Sequence, residues 1–138
     1  MKITKKAFWF SRHAPTEAQI HDLKGLGYEL VVNQASYDLG NTQLRSSADV
    51  DGVISGILSE CRACGADVCA GVFPVPIAEA AMYTADESIS AGDYLPGTVV
   101  LWSSWNIARS EEGKAPTFTH LKFCRVGLLH DVAVSLYN

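Results

Sequence analysis

Short apolar runs alternate along this chain with longer stretches in which apolar residues recur at helical spacing. The clearest helix is predicted over residues 46–65, and Gly65 is suited to end it. Shorter helices are predicted after Thr16 and near Pro76. Five β-strands are predicted over the apolar runs at 6–11, 28–34, 67–73, 98–105 and 117–126, and a last strand over 131–138.

The alternation of strands with helices favours parallel βαβ units. We therefore expect a single α/β domain over residues 1–138, built as a three-layer sandwich with a mainly parallel sheet. The polar stretches at 35–46, 84–97 and 106–116 are expected to be its loops and turns.

The composition is that of an ordinary globular domain, with 138 residues of which 48% are hydrophobic and 19% are charged. A net charge of -4 argues against general binding of duplex DNA, which requires a basic face. No apolar run approaches the roughly 18 residues of a membrane helix, and no signal-peptide core follows the N-terminus. We expect a cytoplasmic protein that binds no membrane.

The cysteine pair Cys61 and Cys64 lies on the apolar side of the predicted long helix, at its C-terminal end. Reactive pairs of this spacing lie at a helix N-terminus instead, where the thiol pKa is lowered. We therefore expect the two thiols to be reduced and to pack in the core, and we expect no metal site.

The residues that follow the first predicted strand have the chemistry of an anion site. Backbone N–H groups at the start of the next helix favour an anion, and Arg12 could add a bidentate contact to phosphate. His13 could donate to a phosphate oxygen or act as acid, base or nucleophile. The alternative is purely structural: Thr16 and Gln19 form a capping box, and Arg12 is a solvated loop charge.

Ligands of parallel α/β sheets bind outside the carboxyl ends of the strands. An α/β fold would therefore bring to one rim the side chains of Arg12, His13, Thr16, Asn106 and Arg109. His120, in the fifth predicted strand, could cross the sheet to the same rim or face solvent.

The segment Arg12-His13-Ala14-Pro15-Thr16 resembles the first-strand motif Arg-His-Gly-x-Thr of the histidine phosphatase superfamily, with alanine in place of glycine. That resemblance implies that His13 is phosphorylated and that arginines hold the phosphate. The late strand VVLWSSW lacks the second catalytic histidine of that family.

The longer segment FSRHAPTEAQ, residues 10–19, is similar to the start of small Rossmann-like CRISPR-associated accessory proteins and their phage and plasmid relatives. The similarity extends to VVLWSSWNIARSEEGKAPTFTH through Arg109, Phe118 and His120. These proteins are related to domains that sense cyclic oligoadenylate, the CARF domains, and some are ring nucleases. The resemblance implies a nucleotide second messenger as the ligand.

From these patterns we expect a protein that binds a phosphate-bearing nucleotide, such as a cyclic oligonucleotide, with no cofactor. Whether it only binds this ligand or also cleaves it without metal stays open at the level of the sequence. A homodimer is expected, because a cyclic ligand suits a two-fold interface. His13 and His120 are the catalytic candidates, and the ligand-binding candidates are Ser11, Arg12, Thr16, Gln19, Asn106 and Arg109.

Two other functions remain open at the level of the sequence. One is a phosphomonoesterase that resembles the histidine phosphatases. The other is a non-enzymatic inhibitor, encoded by a phage or plasmid, that binds a host defence protein. An exposed apolar patch near Trp105 or Tyr94 would favour the inhibitor.

Overall fold

Five β-strands form one sheet in the computed structural model, which describes residues 5–82 and 98–129. The sheet has the order β2-β1-β3-β4-β5. The strands are β1 (Lys5–Phe10), β2 (Tyr28–Val31), β3 (Val68–Gly71), β4 (Val99–Arg109) and β5 (Thr117–Leu129). The helices are α1 (Glu17–Gly25), α2 (Gln34–Gly40), α3 (Ser47–Cys64) and α4 (residues 75–82).

The sheet is mainly parallel, as the sequence predicts. Strands β2, β1, β3 and β4 pair in parallel, whereas β5 pairs antiparallel with β4. Parallel strands need long connections. Helix α1 lies in the connection from β1 to β2, and α2 and α3 lie in the connection that passes from β2 over β1 to β3. The fold is therefore a mixed α/β domain of the Rossmann-like type.

Helices cover both faces of the sheet and produce the three predicted layers. On one face, Leu23 of α1 packs with Ala7 of β1 and Val68 of β3. On the other face, Phe8 of β1 packs in a larger core with residues of α3 and α4, including Ile57 and Ile77. The side chains of β1 alternate between these two cores, as neighbouring residues of a strand must.

Helix α3 confirms the clearest prediction from the sequence. Its apolar stripe is buried against the sheet. The Ser46 side chain accepts a hydrogen bond from the Asp49 N–H at the N-terminus, and Gly65 ends the helix at a φ of 75°. That backbone conformation favours glycine, so the sequence marks this end of the helix unambiguously.

Two expected polar loops contain regular structure. Helix α2 occupies much of the predicted loop 35–46, and a capping box of Asn33 and Ser36 starts it. The hydrophobic pattern does not predict this helix, because it buries little apolar surface. Strand β4 continues to Arg109, through part of the predicted turn 106–116, because β5 pairs with it along its whole length. A ladder of backbone hydrogen bonds does not require apolar side chains.

Some expectations lie outside the described residues, namely the loop 84–97, the last strand 131–138 and the position of Tyr94. Within residues 5–82 and 98–129, no helix is long and apolar enough to cross a membrane.

The pairing of β4 and β5 extends well beyond the rest of the sheet. The last residue of β4 that pairs with β3 is Ser103, opposite Gly71. From there β4 runs on to Arg109, about 20 Å further at the usual rise of a strand. We call residues 104–123 the arm.

Candidate functional site

A cleft of about 690 Å³ opens at the carboxyl ends of β1 and β3. In the sheet, β2 lies on one side of β1 and β3 lies on the other side, and the chain forms β2 before it crosses to β3. Strands β1 and β3 therefore flank a topological switch point. Ligands of open α/β sheets bind at such points. The cleft is lined by Ser11, Arg12, His13, Gly40, Asn41, Thr42, Gln43, Leu44, Val72, Phe73, Pro74 and Pro76.

Two glycines bring the backbone segments around the cleft close together. A Cβ atom on Gly40 would lie 2.4 Å from the carbonyl carbon of Ser11, and one on Gly71 would lie 1.7 Å from the carbonyl oxygen of Phe10. The Ser11 N–H also donates to the Ser36 carbonyl at 3.4 Å. The end of α2 and the start of the loop after β3 therefore rest directly on the exit of β1.

The loop that carries Arg12 and His13 is held by hydrogen bonds to its backbone. The Trp9 indole donates from Nε1 to the His13 carbonyl at 2.8 Å, and the His13 N–H donates to Ser11 Oγ at 3.2 Å. Both the Arg12 and His13 side chains are exposed, and neither forms a hydrogen bond or ion pair with another described residue. An ordered loop thus presents to the cleft two donor side chains that have no partner among the described residues.

The cleft has one apolar wall and one polar wall. On the apolar side the Phe73 ring stacks on Phe10, with ring centroids 5.1 Å apart and planes at 17°. On the polar side the Asn41 amide donates to the Tyr37 carbonyl at 2.8 Å, and Thr42 Oγ1 donates to the Asp38 carbonyl at 2.9 Å. These bonds cap the end of α2 and hold the polar wall in place.

The structure uses Thr16 and Gln19 as a complete capping box for α1. Thr16 Oγ1 accepts from the Gln19 N–H at 3.2 Å, and Gln19 Oε1 accepts from the Thr16 N–H at 2.8 Å. The side-chain amide of Gln19 is buried and donates from Nε2 to Ser104 Oγ at 3.0 Å. Neither residue lines the cleft, and both fix the loop of Arg12 and His13 from its helical end.

His120 lies neither at the cleft nor in solvent. Its Nδ1 is 2.6 Å from Ser104 Oγ and its Nε2 is 3.0 Å from Asp22 Oδ2. Its side chain is only 4% exposed. The candidates predicted from the sequence include neither of the two partners of His120, which are Ser104 and Asp22. Asp22 lies three residues after the predicted Gln19 on α1, so the two residues share a face of that helix.

The order Asp22–His120–Ser104 is that of a hydrolase triad, but its serine is not placed for attack. Ser104 is 5% exposed, and it receives the Gln19 amide hydrogen. One arrangement of protons satisfies these three contacts: Gln19 donates to Ser104, Ser104 donates to His120 Nδ1, and His120 Nε2–H donates to Asp22. Ser104 Oγ also lies 3.3 Å from Asn106 Oδ1, but its single proton goes to the shorter contact with His120. We call these four residues the relay, and it fastens α1 to the base of the arm.

Asn106 and Arg109, both predicted for the rim, lie on the arm. Asn106 Nδ2 donates to the Ser104 carbonyl at 3.3 Å, whereas Arg109 is exposed and pairs with Thr117. Neither residue lines the cleft. Of the predicted site residues, the structure therefore collects Ser11, Arg12 and His13 in the cleft and separates the rest from it.

The cysteines are placed for packing, as the sequence indicates. Cys61 is buried and Cys64 is half-buried against the same core, and Cys69 is buried as well. No group of three or more possible metal ligands occurs in the part of the chain that the structure describes. Burial, and then the neighbouring Cys61, raises the pKa of the Cys69 thiol well above its ordinary value. Thiols of raised pKa are poor nucleophiles.

Comparison of the chain with protein-family models, with curated proteins and with solved structures finds no match. The function has therefore to be argued from the geometry of the cleft.

Proposed function

We propose that the cleft binds a phosphate-bearing nucleotide, with its phosphate at Arg12 and His13. The observation that carries this proposal is the pair of donor side chains without a partner among the described residues, at the mouth of a cleft on the switch point of the sheet. Such a pair favours an anion, because an unpaired guanidinium offers a bidentate contact to phosphate oxygens.

The surroundings of that pair suit an anionic ligand. Pro74 and Pro76 line the cleft where α4 begins, so the positive end of this helix dipole faces the same space. No aspartate or glutamate is among the described residues that line the cleft.

The walls suit a nucleobase. Phe73 and the prolines offer an apolar surface. The Asn41 amide nitrogen donates to Tyr37 and the Gln43 amide oxygen accepts from Arg45, so Asn41 Oδ1 and Gln43 Nε2 are the groups that can pair with the edge of a base. A volume of about 690 Å³ lies within the roughly 300–1,000 Å³ of small-molecule sites. The resemblance of residues 10–19 to CRISPR-associated accessory proteins narrows the proposed ligand to a cyclic oligonucleotide.

Any cleavage of the ligand would rest on His13. His120 is committed to the relay and lies away from the cleft. Attack by a ribose 2′-hydroxyl on the adjacent phosphate needs orientation and charge stabilisation, which Arg12 and the helix dipole could supply. We therefore propose binding of the nucleotide, and cleavage is to be measured on the same complex.

The test is a thermal-shift panel of cyclic di-, tri-, tetra- and hexanucleotides, linear oligoadenylates and simple phosphomonoesters, followed by chromatography of each mixture. We expect one cyclic nucleotide to raise the Tm of the wild-type protein, and Arg12→Ala to abolish the rise. Arg109→Ala is the matched control and should keep it. Turnover of phosphomonoesters alone, with phosphate on His13, would favour the histidine-phosphatase alternative, and no shift with any ligand would contradict the proposal.

A further inference from the structure

The arm exposes apolar side chains on both of its faces. Trp105 is 53% exposed, Ile107 46%, Phe118 69% and Leu121 57%. In an antiparallel ladder, directly opposed residues share a face and successive residues alternate. Trp105 and Ile107 therefore lie on one face of the arm, whereas Phe118, which is opposite Ala108, lies on the other.

The outer edge of the arm is also open. Strand β5 is the last in the sheet order, so one side of its 13-residue backbone has no neighbouring strand among the described residues. Natural proteins protect such edges with charges, prolines or bulges. Lys122, Arg125 and the two register shifts of the β4–β5 pairing protect the part of β5 nearer the sheet, and Pro116 precedes the strand. Only residues 117–120 of the edge carry none of these protections.

We propose that the arm is an interaction surface for a second copy of this chain, with the two arms exchanged reciprocally across a two-fold axis. This inference is independent of the proposed ligand. The sequence suggests a homodimer because a cyclic nucleotide is symmetric. The arm gives a separate reason for a homodimer and says where its interface lies.

The area of the arm favours a second copy over an unrelated partner. Each face measures about 20 Å by 10 Å, so the two faces of one arm offer at most roughly 400 Å². Helix α1 covers the base of one face through the relay. A standard interface buries about 800 Å² on each partner, so a partner that merely receives one arm covers half of that. Reciprocal exchange, in which each copy gives one arm and receives another, doubles the buried area and approaches the standard value.

The charges near the tip of the arm permit self-association. Arg109 and Lys114 lie there with Glu111 and Glu112, and Lys114 Nζ is 3.0 Å from Glu111 Oε2. Because both signs are present in one small region, two tips can approach without bringing like charges together. A single-sign tip would instead oppose a two-fold contact.

The test is the mass of the protein by size-exclusion chromatography with light scattering, over a concentration series. We expect a dimer for the wild type and for Trp105→Phe, which keeps an aromatic anchor. Trp105→Glu and Ile107→Glu should raise the dissociation constant more than about tenfold, as loss of an interface hot spot does. Circular dichroism checks that each variant is folded.

A second measurement does not depend on disrupting the arm. The thiol of Ile107→Cys should react with a thiol reagent more slowly at a protein concentration that gives the dimer than at one that gives the monomer, whereas the thiol of Glu60→Cys on α3, away from the arm, should react equally at both. Equal rates for Ile107→Cys at the two concentrations would contradict the proposal. A wild type that stays monomeric at about 100 times the concentration used for the thermal shifts would overturn the proposal. A dimer that survives both glutamate variants would do so as well.

Discussion

Gln19 donates from its side-chain amide to Ser104 Oγ at 3.0 Å, and this buried contact joins α1 to β4 across 85 positions of the chain. The same side chain completes the capping box with Thr16. Since Ser104 also contacts His120, which contacts Asp22, one glutamine links the loop of Arg12 and His13 to the base of the arm. The relay therefore stabilises the fold around the cleft and is not part of the cleft.

Gln19→Ala should destabilise the protein by about 1–3 kcal/mol, because it removes a capping interaction and leaves buried Ser104 without its donor. Urea unfolding gives the free energy of unfolding. Gln34→Ala is the matched control, since the Gln34 amide contacts Asp38 at 2.9 Å on the exposed surface of α2. The control should change stability by less than about 0.5 kcal/mol. Equal losses in the two variants would mean that the buried contact contributes nothing.

Alanine substitutions of the two catalytic candidates, His13 and His120, should affect different properties of the protein. His120→Ala should cost about 2 kcal/mol or more, because it leaves Ser104 and Asp22 without their shared partner. His13→Ala should leave the free energy of unfolding nearly unchanged, because the side chain is exposed. It should lower the affinity for the ligand that the thermal-shift panel identifies.

His21→Ala, on the exposed side of α1, is the control for both histidine variants and should change neither property. The assignment of His120 to the relay would be wrong if His120→Ala unfolded like the wild type. The assignment of His13 to the cleft would be wrong if its variant bound the ligand unchanged.

The strands and the long helix could be predicted because their signals are local. Helix α3 has an apolar stripe, a capping serine and a glycine at its end, and each of these is visible in the sequence. The rim position of Arg12 and His13 also follows from a local rule, since they come directly after a buried strand. Helix α2 could not be predicted in this way, because it is short, polar and capped by Asn33.

The relay and the arm depend on long-range pairing, which no local pattern reveals. His120 meets Ser104 only because β5 turns back antiparallel along β4, with register shifts after Leu101 and Trp105. A rule that assumes parallel strands places Asn106 and Arg109 at the common rim. The antiparallel partner instead carries these residues outward on the arm.

The close approach at Gly40 can be tested with a second glycine as the control. Gly40→Ala adds a Cβ atom 2.4 Å from backbone atoms of Ser11, which cannot move aside as a side chain does. We expect a loss of about 1–3 kcal/mol and weaker ligand binding, because α2 must withdraw from the cleft. Gly52→Ala, inside α3 with nothing within 4 Å, should stabilise the protein by about 0.5–1 kcal/mol. A neutral Gly40→Ala would show that the cleft tolerates the extra volume.

The buried thiols predict how stability responds to high pH. Burial raises the pKa of the Cys69 thiol well above 9.0, and burial also raises the pKa of the Cys64 thiol. A thiol whose pKa is higher in the folded state than in the unfolded chain keeps its proton longer when folded. Its contribution to stability is therefore complete below about pH 9 and decreases as the pH rises through the folded pKa.

We expect the free energy of unfolding to fall as the pH rises above about 9, and Cys69→Ala to reduce the slope of that fall. Urea titrations at several pH values measure it, and the difference in slope between wild type and variant isolates the Cys69 thiol from the tyrosines. In the folded wild type, the buried thiols of Cys61 and Cys69 should react with a thiol reagent far more slowly than in urea. Rapid labelling of Cys69 in the native protein would show that the core around it opens, and the packing role of this thiol would then be wrong.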